Sequence, residues 1–239
     1  MSLRVEDVTV RFGGVVALDG VTFDAQPGEV LGVIGPNGAG KTTLFNVISG
    51  LQRPSAGTVS LDERKLTHLP MHRVAALGVT RTFQTPVMFW GLSVCESLMV
   101  ALDASPRVEN ASKDAARALL AGTPLESCAD VLTESLSFGQ ERVLEMLRVL
   151  AVEPRVLLLD EPLSGLSGDE IDAVLELVRA ARSRGVCILF VEHDLHRLLA
   201  AADRFVVLDH GRKIAEGSPE GISNDPIVLD AYIGDELTA

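Results

Sequence analysis

Eight consecutive residues, Gly35-Pro36-Asn37-Gly38-Ala39-Gly40-Lys41-Thr42, fit the pattern G-x-x-x-x-G-K-[ST]. They follow a short apolar run, Val30-Leu31-Gly32-Val33-Ile34, and open a helical pattern from about Thr42 to Ser49. Those flanks distinguish a phosphate-binding loop from a glycine-rich turn that happens to carry a surface lysine. The glycines let backbone N–H groups wrap an anion without a side chain in the way. The N-terminus of the following helix adds partial positive charge. Lys41 is placed to reach the outer phosphates of a nucleotide, and Thr42 to ligate Mg²⁺. Asn37, Gly38, Ala39, Gly40 and Thr43 complete the stretch expected to touch the phosphates.

A phosphate loop needs a carboxylate to direct a metal. Val156-Leu157-Leu158-Leu159-Asp160-Glu161 supplies two acids at the end of an apolar strand. Asp160 suits the shell of a Mg²⁺ ion, and Glu161 suits a water-polarising or proton-accepting role. Alone, such a pair reads as a cap for the next helix or as solvated charge. Coupled to a phosphate loop, it reads as catalytic.

The elements that must hold these residues are visible in the apolar pattern. Leu3, Val5, Val8 and Val10 alternate with charges, and Val15 to Phe23 is a second apolar run, closed by the turn Gln26-Pro27-Gly28-Glu29. Wholly apolar runs at 30–34, 156–159 and 186–191 suit strands buried on both faces. Helical spacing covers Gln140 to Val152 and Ile171 to Arg184, and further elements are expected at Leu195 to Ala202 (helix) and Arg204 to Leu208 (strand). Alternating buried strands and helices predict a largely parallel sheet covered on both faces. Between about Thr85 and Ser135 the texture changes to Ala-rich helical stretches, notably Ala111 to Ala121, which predicts a short helical insertion. A short helix is expected around Ile227 to Ile233.

Composition excludes other classes. Of 239 residues, 33 are acidic and 21 basic, a net charge of −12. General nucleic-acid binding needs cationic surface to displace phosphate counterions, so no nucleic-acid partner is expected. Adsorption to anionic lipid by charge alone is disfavoured for the same reason. Mean hydropathy is +0.27, yet no run of about 18 uncharged apolar residues offers a membrane span. Cys95, Cys128 and Cys187 are scattered, which indicates neither a disulfide framework nor a zinc site. His68 and His72 are separated by Pro70, which disfavours the helix that would align them on a metal; His196 and His210 read as surface residues. The N-terminus carries no apolar signal core, and a cytosolic location is expected.

Further short motifs accompany the loop and the acids. They are Arg81-Thr82-Phe83-Gln84, Leu136-Ser137-Phe138-Gly139-Gln140, Ser164-Gly165-Leu166-Ser167 and Glu192-His193-Asp194. In these motifs and their order the chain resembles the ATP-binding-cassette (ABC) ATPases over nearly its whole length. The resemblance implies an α/β P-loop NTPase fold with a parallel-sheet core, an N-terminal antiparallel β part and a short helical insertion. Residues 1–84 and 140–239 would form the nucleotide-binding core, and 85–139 a helical subdomain with the signature motif.

ATP and Mg²⁺ are the implied cofactors. Gln84 looks like the Q-loop glutamine, a metal ligand with Thr42 and Asp160. His193 looks like the switch histidine, which joins Glu161, Gln84 and Lys41 as catalytic; alone it would read as a satisfied loop histidine. Phe12 sits where an aromatic residue stacks on adenine. Ser137, Gly139 and Gln140 look like the signature residues that grip the nucleotide of a second subunit, so a homo- or heterodimer is implied. A helix starting near Gln140, with Ser137 and Gly139 just ahead, makes a second anion site; Ser137 as a plain helix cap is compatible with that role. Two residues depart from the usual pattern: Phe138 replaces a glycine, and Ser167 stands where aspartate is common. The insertion also looks short.

With no span, no second cassette and no long heptads of the DNA-repair relatives, the resemblance implies the separate ATPase subunit of a transporter. It would lie in the cytoplasm, peripheral at the inner face of the cell membrane. Integral membrane permease subunits would be its partners, and a periplasmic or extracellular substrate-binding protein an indirect one. Pro86-Val87-Met88-Phe89-Trp90-Gly91-Leu92 holds the only tryptophan. It reads either as part of a groove for a membrane-subunit helix or as filling for the insertion's own core. Arg11-Phe12-Gly13-Gly14, Phe45-Asn46-Val47-Ile48-Ser49-Gly50 and Ala231-Tyr232-Ile233-Gly234-Asp235 look like the branched-chain amino acid uptake ATPases. Urea or short-amide importers and lipopolysaccharide-export ATPases share much of this. A stand-alone ABC switch or a P-loop kinase are the readings from other classes.

Overall fold

A computed structural model of the chain describes residues 2–83, 87–192 and 195–236, without the side chains of 195–197 and 232–236. The N-terminal alternating segment folds as β1 (Leu3–Phe12) and β2 (Val15–Ala25), paired antiparallel from Leu3↔Ala25 to Phe12↔Val15. Next come β3 (Val30–Ile34), α1 (Lys41–Ile48), β4 (Ala56–Leu61), β5 (Arg64–Lys65), α2 (Met71–Ala76) and β6 (Val79–Arg81). The middle of the chain supplies α3 (Val94–Asp103), α4 (Lys113–Leu120) and α5 (Phe138–Ala151). Then follow β7 (Val156–Asp160), α6 (Gly168–Ser183), β8 (Cys187–Val191), α7 (Leu195–Ala201), β9 (Arg204–Asp209) and β10 (Arg212–Gly217), and finally α8 (Pro219–Ser223) and α9 (Pro226–Glu236).

The strands form two sheets. One runs β2-β1-β4-β5 and is antiparallel; the other runs β10-β9-β3-β8-β7-β6 and is parallel except at its β10 edge. Side chains alternate across a strand, so each central strand feeds two cores. Leu157, Leu159, Ile188, Phe190, Phe205 and Val207 face the core shared with α3, α4, α5 and α6. Leu31, Val33, Leu158, Leu189, Val206 and Leu208 face the core shared with α1 and the antiparallel sheet. This is why those runs are apolar without a break. Complete burial of a Phe, Leu, Ile or Val contributes about 1.5–3 kcal/mol each.

The parallel sheet, the antiparallel N-terminal part and the helices between 85 and 139 agree with the sequence reading. Two helix starts differ. Helix α5 begins at Phe138 rather than near Gln140, because Ser137 caps it: Ser137 Oγ accepts from Gln140 N–H (3.3 Å), and Gln140 Oε1 accepts from Ser137 N–H (3.0 Å). Gly139 therefore lies inside the first turn, not ahead of the helix. Helix α6 begins at Gly168 rather than Ile171 for the same reason, with Ser167 and Glu170 as its reciprocal cap. Strands β4 to β6 and helix α2 lie outside the elements expected from the sequence; β6 is three residues long and one of them is a buried arginine. Among the described residues, no helix is long and apolar enough to cross a membrane.

Strand β3 delivers the phosphate loop, and its middle residue is Gly32. A Cβ there would stand 2.4 Å from Cε1 of the fully buried Phe205 ring on β9. Gly32→Ala is expected to destabilise the chain by about 1–3 kcal/mol through overpacking, with part of the loss recovered in Gly32→Ala/Phe205→Leu. Urea titration of the three proteins checks both.

Candidate nucleotide site

Strand β3 ends at Ile34, and the loop 35–40 carries the chain into α1. Gly35 passes so close to β9 that a Cβ would meet Leu208 O at 2.0 Å, so no other residue fits there. The loop leaves Asn37 and Gly38 exposed and Ala39 buried. Lys41 opens α1 with its side chain largely buried, folded over its own loop: Nζ donates to Gly35 O (2.5 Å) and Pro36 O (2.9 Å). Asn37, Gly38, Ala39, Gly40, Lys41, Thr42 and Thr43 line a cavity of about 400 Å³, together with Ala17 and Glu161. The cavity is polar and open, of the size that holds a small ligand. Backbone N–H groups at a helix N-terminus and an ammonium group make it an anion site.

Glu161 reaches this cavity through an uncommon backbone. Its φ is +51°, in the left-handed region that non-glycine residues seldom adopt. The conformation is held by its N–H, which donates to Val191 O at the end of β8 (3.0 Å). Strained backbone of this kind collects where a side chain must be aimed.

Asp160 lies beneath, 1% exposed. Its Oδ2 accepts from Arg81 Nη2 at 3.1 Å, and its N–H donates to Thr82 Oγ1 at 3.2 Å. Its Oδ1 is buried with no hydrogen-bond partner among the described residues. Burial pushes the Asp160 carboxyl above its ordinary range, against the opposing pull of Arg81. A buried carboxylate oxygen without a donor is one that a cation or its bound water would satisfy. Arg81 also donates to Asn46 Oδ1 (2.6 Å) on α1. Burial lowers its own pKa, and Asp160 opposes that shift. One guanidinium thus links the strand-end acid to the helix behind the phosphate loop.

The other residues singled out from the sequence are not gathered here. Phe12 lies at the end of β1, half exposed, and is not among the cavity-lining residues. Ser137, Gly139 and Gln140 form the first turn of α5, and they line no part of the phosphate-loop cavity. Gln84 and His193 lie outside the described residues, as does Pro86, and the side chains of His196 and Tyr232 are not described. The run after Gln84 divides: Met88 packs against the helical core and Phe89 lies under Arg148 at 4.4 Å, while Val87 is exposed and Trp90 is 78% exposed.

Sequence reasoning missed four supports. Ala17 contributes to the cavity from β2; Arg81 and Thr82 hold Asp160; and Glu192 accepts from Leu163 N–H (2.7 Å) in the turn after Glu161. A buried ion pair on α5, Arg142 with Glu145 (3.0 Å, both side chains 4% exposed), is the fourth. It holds both backbone groups of Phe83: Glu145 Oε1 accepts from its N–H at 3.0 Å, and Arg142 donates to its O at 2.9 Å. The only signal for it was an i, i+3 charge pair on the apolar side of a helix.

A parallel sheet with this loop at the end of one strand and an Asp-Glu pair at the end of another defines a P-loop nucleoside triphosphatase. The chain belongs to the ABC transporter family, whose model matches residues 18–164, and within it the chain is an ATP hydrolase. A second model, described as a branched-chain amino acid ATP-binding cassette transporter, matches residues 212–238. BraF of Pseudomonas aeruginosa, a high-affinity branched-chain amino acid transport ATP-binding protein, is 36% identical, with 98% of each chain covered. LivG of Salmonella typhimurium, of the same description, has the same identity and coverage. LptB of Acidithiobacillus ferridurans, a lipopolysaccharide export ATP-binding protein, is 35% identical over 98% of each chain. Among solved structures, an ATP-binding cassette of an ABC transporter in its ADP conformation superposes with a TM-score of 0.87 at 30% identity, covering 98% of this chain and 99% of that one.

Removing one partner of a buried ion pair costs about 3–5 kcal/mol where the other charge is left uncompensated, and that figure is the upper end here because Arg142 keeps its bond to Phe83 O. Glu145→Ala is expected to lose stability up to that range, and Glu145→Gln, which keeps an acceptor for Phe83 N–H, to lose less. Guanidinium unfolding of the two variants beside the parent measures the difference.

Proposed function

We propose that the chain powers an importer of branched-chain amino acids. ATP binds in the phosphate-loop cavity, with Phe12 against the base and Lys41 turned from its own loop carbonyls to the outer phosphates. The backbone N–H groups of residues 37–43 surround those phosphates. Thr42, Asp160 and Gln84 would hold Mg²⁺, which would supply charge neutralisation on the phosphates. A second ATPase subunit closes over the nucleotide, bringing its own Ser137, Gly139 and Gln140 to the γ-phosphate. Glu161 polarises the attacking water; His193 positions the phosphate, and Gln84 reports nucleotide state. Residues 85–139 act as the helical subdomain that carries the signature turn. Val87 and Trp90 are the part of the adjoining run that faces a permease helix at the inner face of the cell membrane.

The observation that carries hydrolysis is the single cavity shared by the loop residues and Glu161. What supports the cargo is the match of residues 212–238 together with the BraF and LivG similarities. The 35% similarity to LptB supports lipopolysaccharide export as the second reading.

Glu161→Gln is expected to accumulate as an ATP-bound dimer at saturating MgATP, detected by light scattering; a monomer under those conditions argues against two-subunit closure. Deletion of the gene is expected to abolish uptake of labelled leucine, isoleucine and valine, restored by the parent chain and not by Glu161→Gln. Unchanged uptake with defective outer-membrane assembly supports the export reading instead.

A further inference from the structure

Phe138 and Ser167, the two departures from the usual family pattern, belong to turns that interlock within one chain. Gly165 lies between β7 and α6 with φ +76°, and the Cβ it lacks would stand 2.9 Å from Phe138 Cε1. Two residues on, Ser167 caps α6: its N–H and Oγ both donate to Glu170 Oε2, at 2.8 and 2.7 Å. The other oxygen of that carboxylate occupies the space of a side chain at 139, because a Cβ on Gly139 would meet Glu170 Oε1 at 1.8 Å. The first turn of α5 is therefore keyed twice into the segment 165–170, by an aromatic ring on one glycine and by a carboxylate on another.

The ring is a poor core residue, since it remains 47% exposed. Its neighbours are mechanical: Gly165 on one hand, and on the other Arg142, whose Cζ lies 5.5 Å from the ring centroid and whose Nη1 holds Phe83 O. The segment that Phe138 presses begins at Glu161, whose O accepts from Ser164 N–H at 3.3 Å. The chain from the ring contact back to the acid is four residues long and internally bonded. A shift of the α5 turn thus has a short, hydrogen-bonded route to the acid that lines the phosphate-loop cavity.

We propose that Phe138 is a positioning residue that acts through Gly165, so that the placement of Glu161 on one nucleotide depends on what Ser137 of the same chain engages. The inference rests on the two-subunit ATP reading above and deepens it: each copy's signature turn faces the other nucleotide, and this contact links the two sites inside one protomer.

A double-mutant cycle on kcat tests the contact, using Phe138→Ala, Gly165→Ala and the double variant, with Phe138→Tyr as the conservative control. Each single change is expected to lower kcat by about tenfold, while ATP affinity of the isolated chain moves by less than about twofold. The double variant is expected to lose clearly less than the product of the two single losses, because the clash between the added methyl group and the ring is gone while the strain of a side chain at φ +76° remains. Phe138→Tyr is expected to keep kcat within about twofold. Losses that multiply in the double variant overturn the proposal, as does an unchanged kcat in Phe138→Ala. If Gly165→Ala does not fold, the kcat of Phe138→Ala against that of Phe138→Tyr decides the matter alone. The same substitutions in a Glu161→Gln background are scored for MgATP-driven dimers. A parent that stays monomeric overturns the two-subunit reading and this inference together; dimers with multiplied losses overturn the inference only.

Discussion

The buried bond between Arg81 and Asp160 sets the geometry of everything around it. Asp160 ends β7, and Asn46, the other strong partner of that guanidinium, belongs to α1. The acid strand and the phosphate-loop helix are thereby tied through one side chain. Burying a charged pair costs more than burying apolar groups of the same size, so its value lies in position. The pair also leaves Asp160 Oδ1 as a buried acceptor without a partner among the described residues, next in sequence to the acid that lines the phosphate-loop cavity. A carboxylate prepared in this way has a reason to capture a cation, and folding alone does not give it one.

The helical side of the molecule is organised by buried charge in the same way. Arg142 and Glu145 direct a buried ion pair at the two backbone groups of Phe83. At the start of the same helix, Phe138 and Gly139 fit against Gly165 and Glu170. Helix α5 therefore touches both chain segments that leave the parallel sheet beside the site, one after β6 and one after β7. A body that contacts both segments cannot be displaced without moving them.

Much of this was legible in the residues. Strands buried on both faces announce themselves as unbroken apolar runs, and 30–34, 156–160 and 187–191 fold where such runs stand. The phosphate loop was legible because its chemistry demands particular residues at fixed spacing. Short elements were not: Val79-Thr80-Arg81 is too short to show a strand pattern, and only its pairing with Val156, Leu157 and Leu158 makes it one. The capped helix starts were half legible, since Ser137 and Ser167 are good caps, but apolar periodicity begins a turn later and drew the expected boundary inward. The left-handed turn at Glu161 left no trace in the sequence, because a glutamate is not a residue type whose presence signals that backbone region.

One exposed side chain has a practical meaning. The chain holds a single tryptophan, and Trp90 is 78% open to water on the face that the transporter reading turns toward the membrane subunits. Its emission is therefore a one-address signal. Within this chain the indole reports solvent at that spot alone, and a blue-shifted spectrum on binding a tryptophan-free partner would mark the moment that face becomes dry.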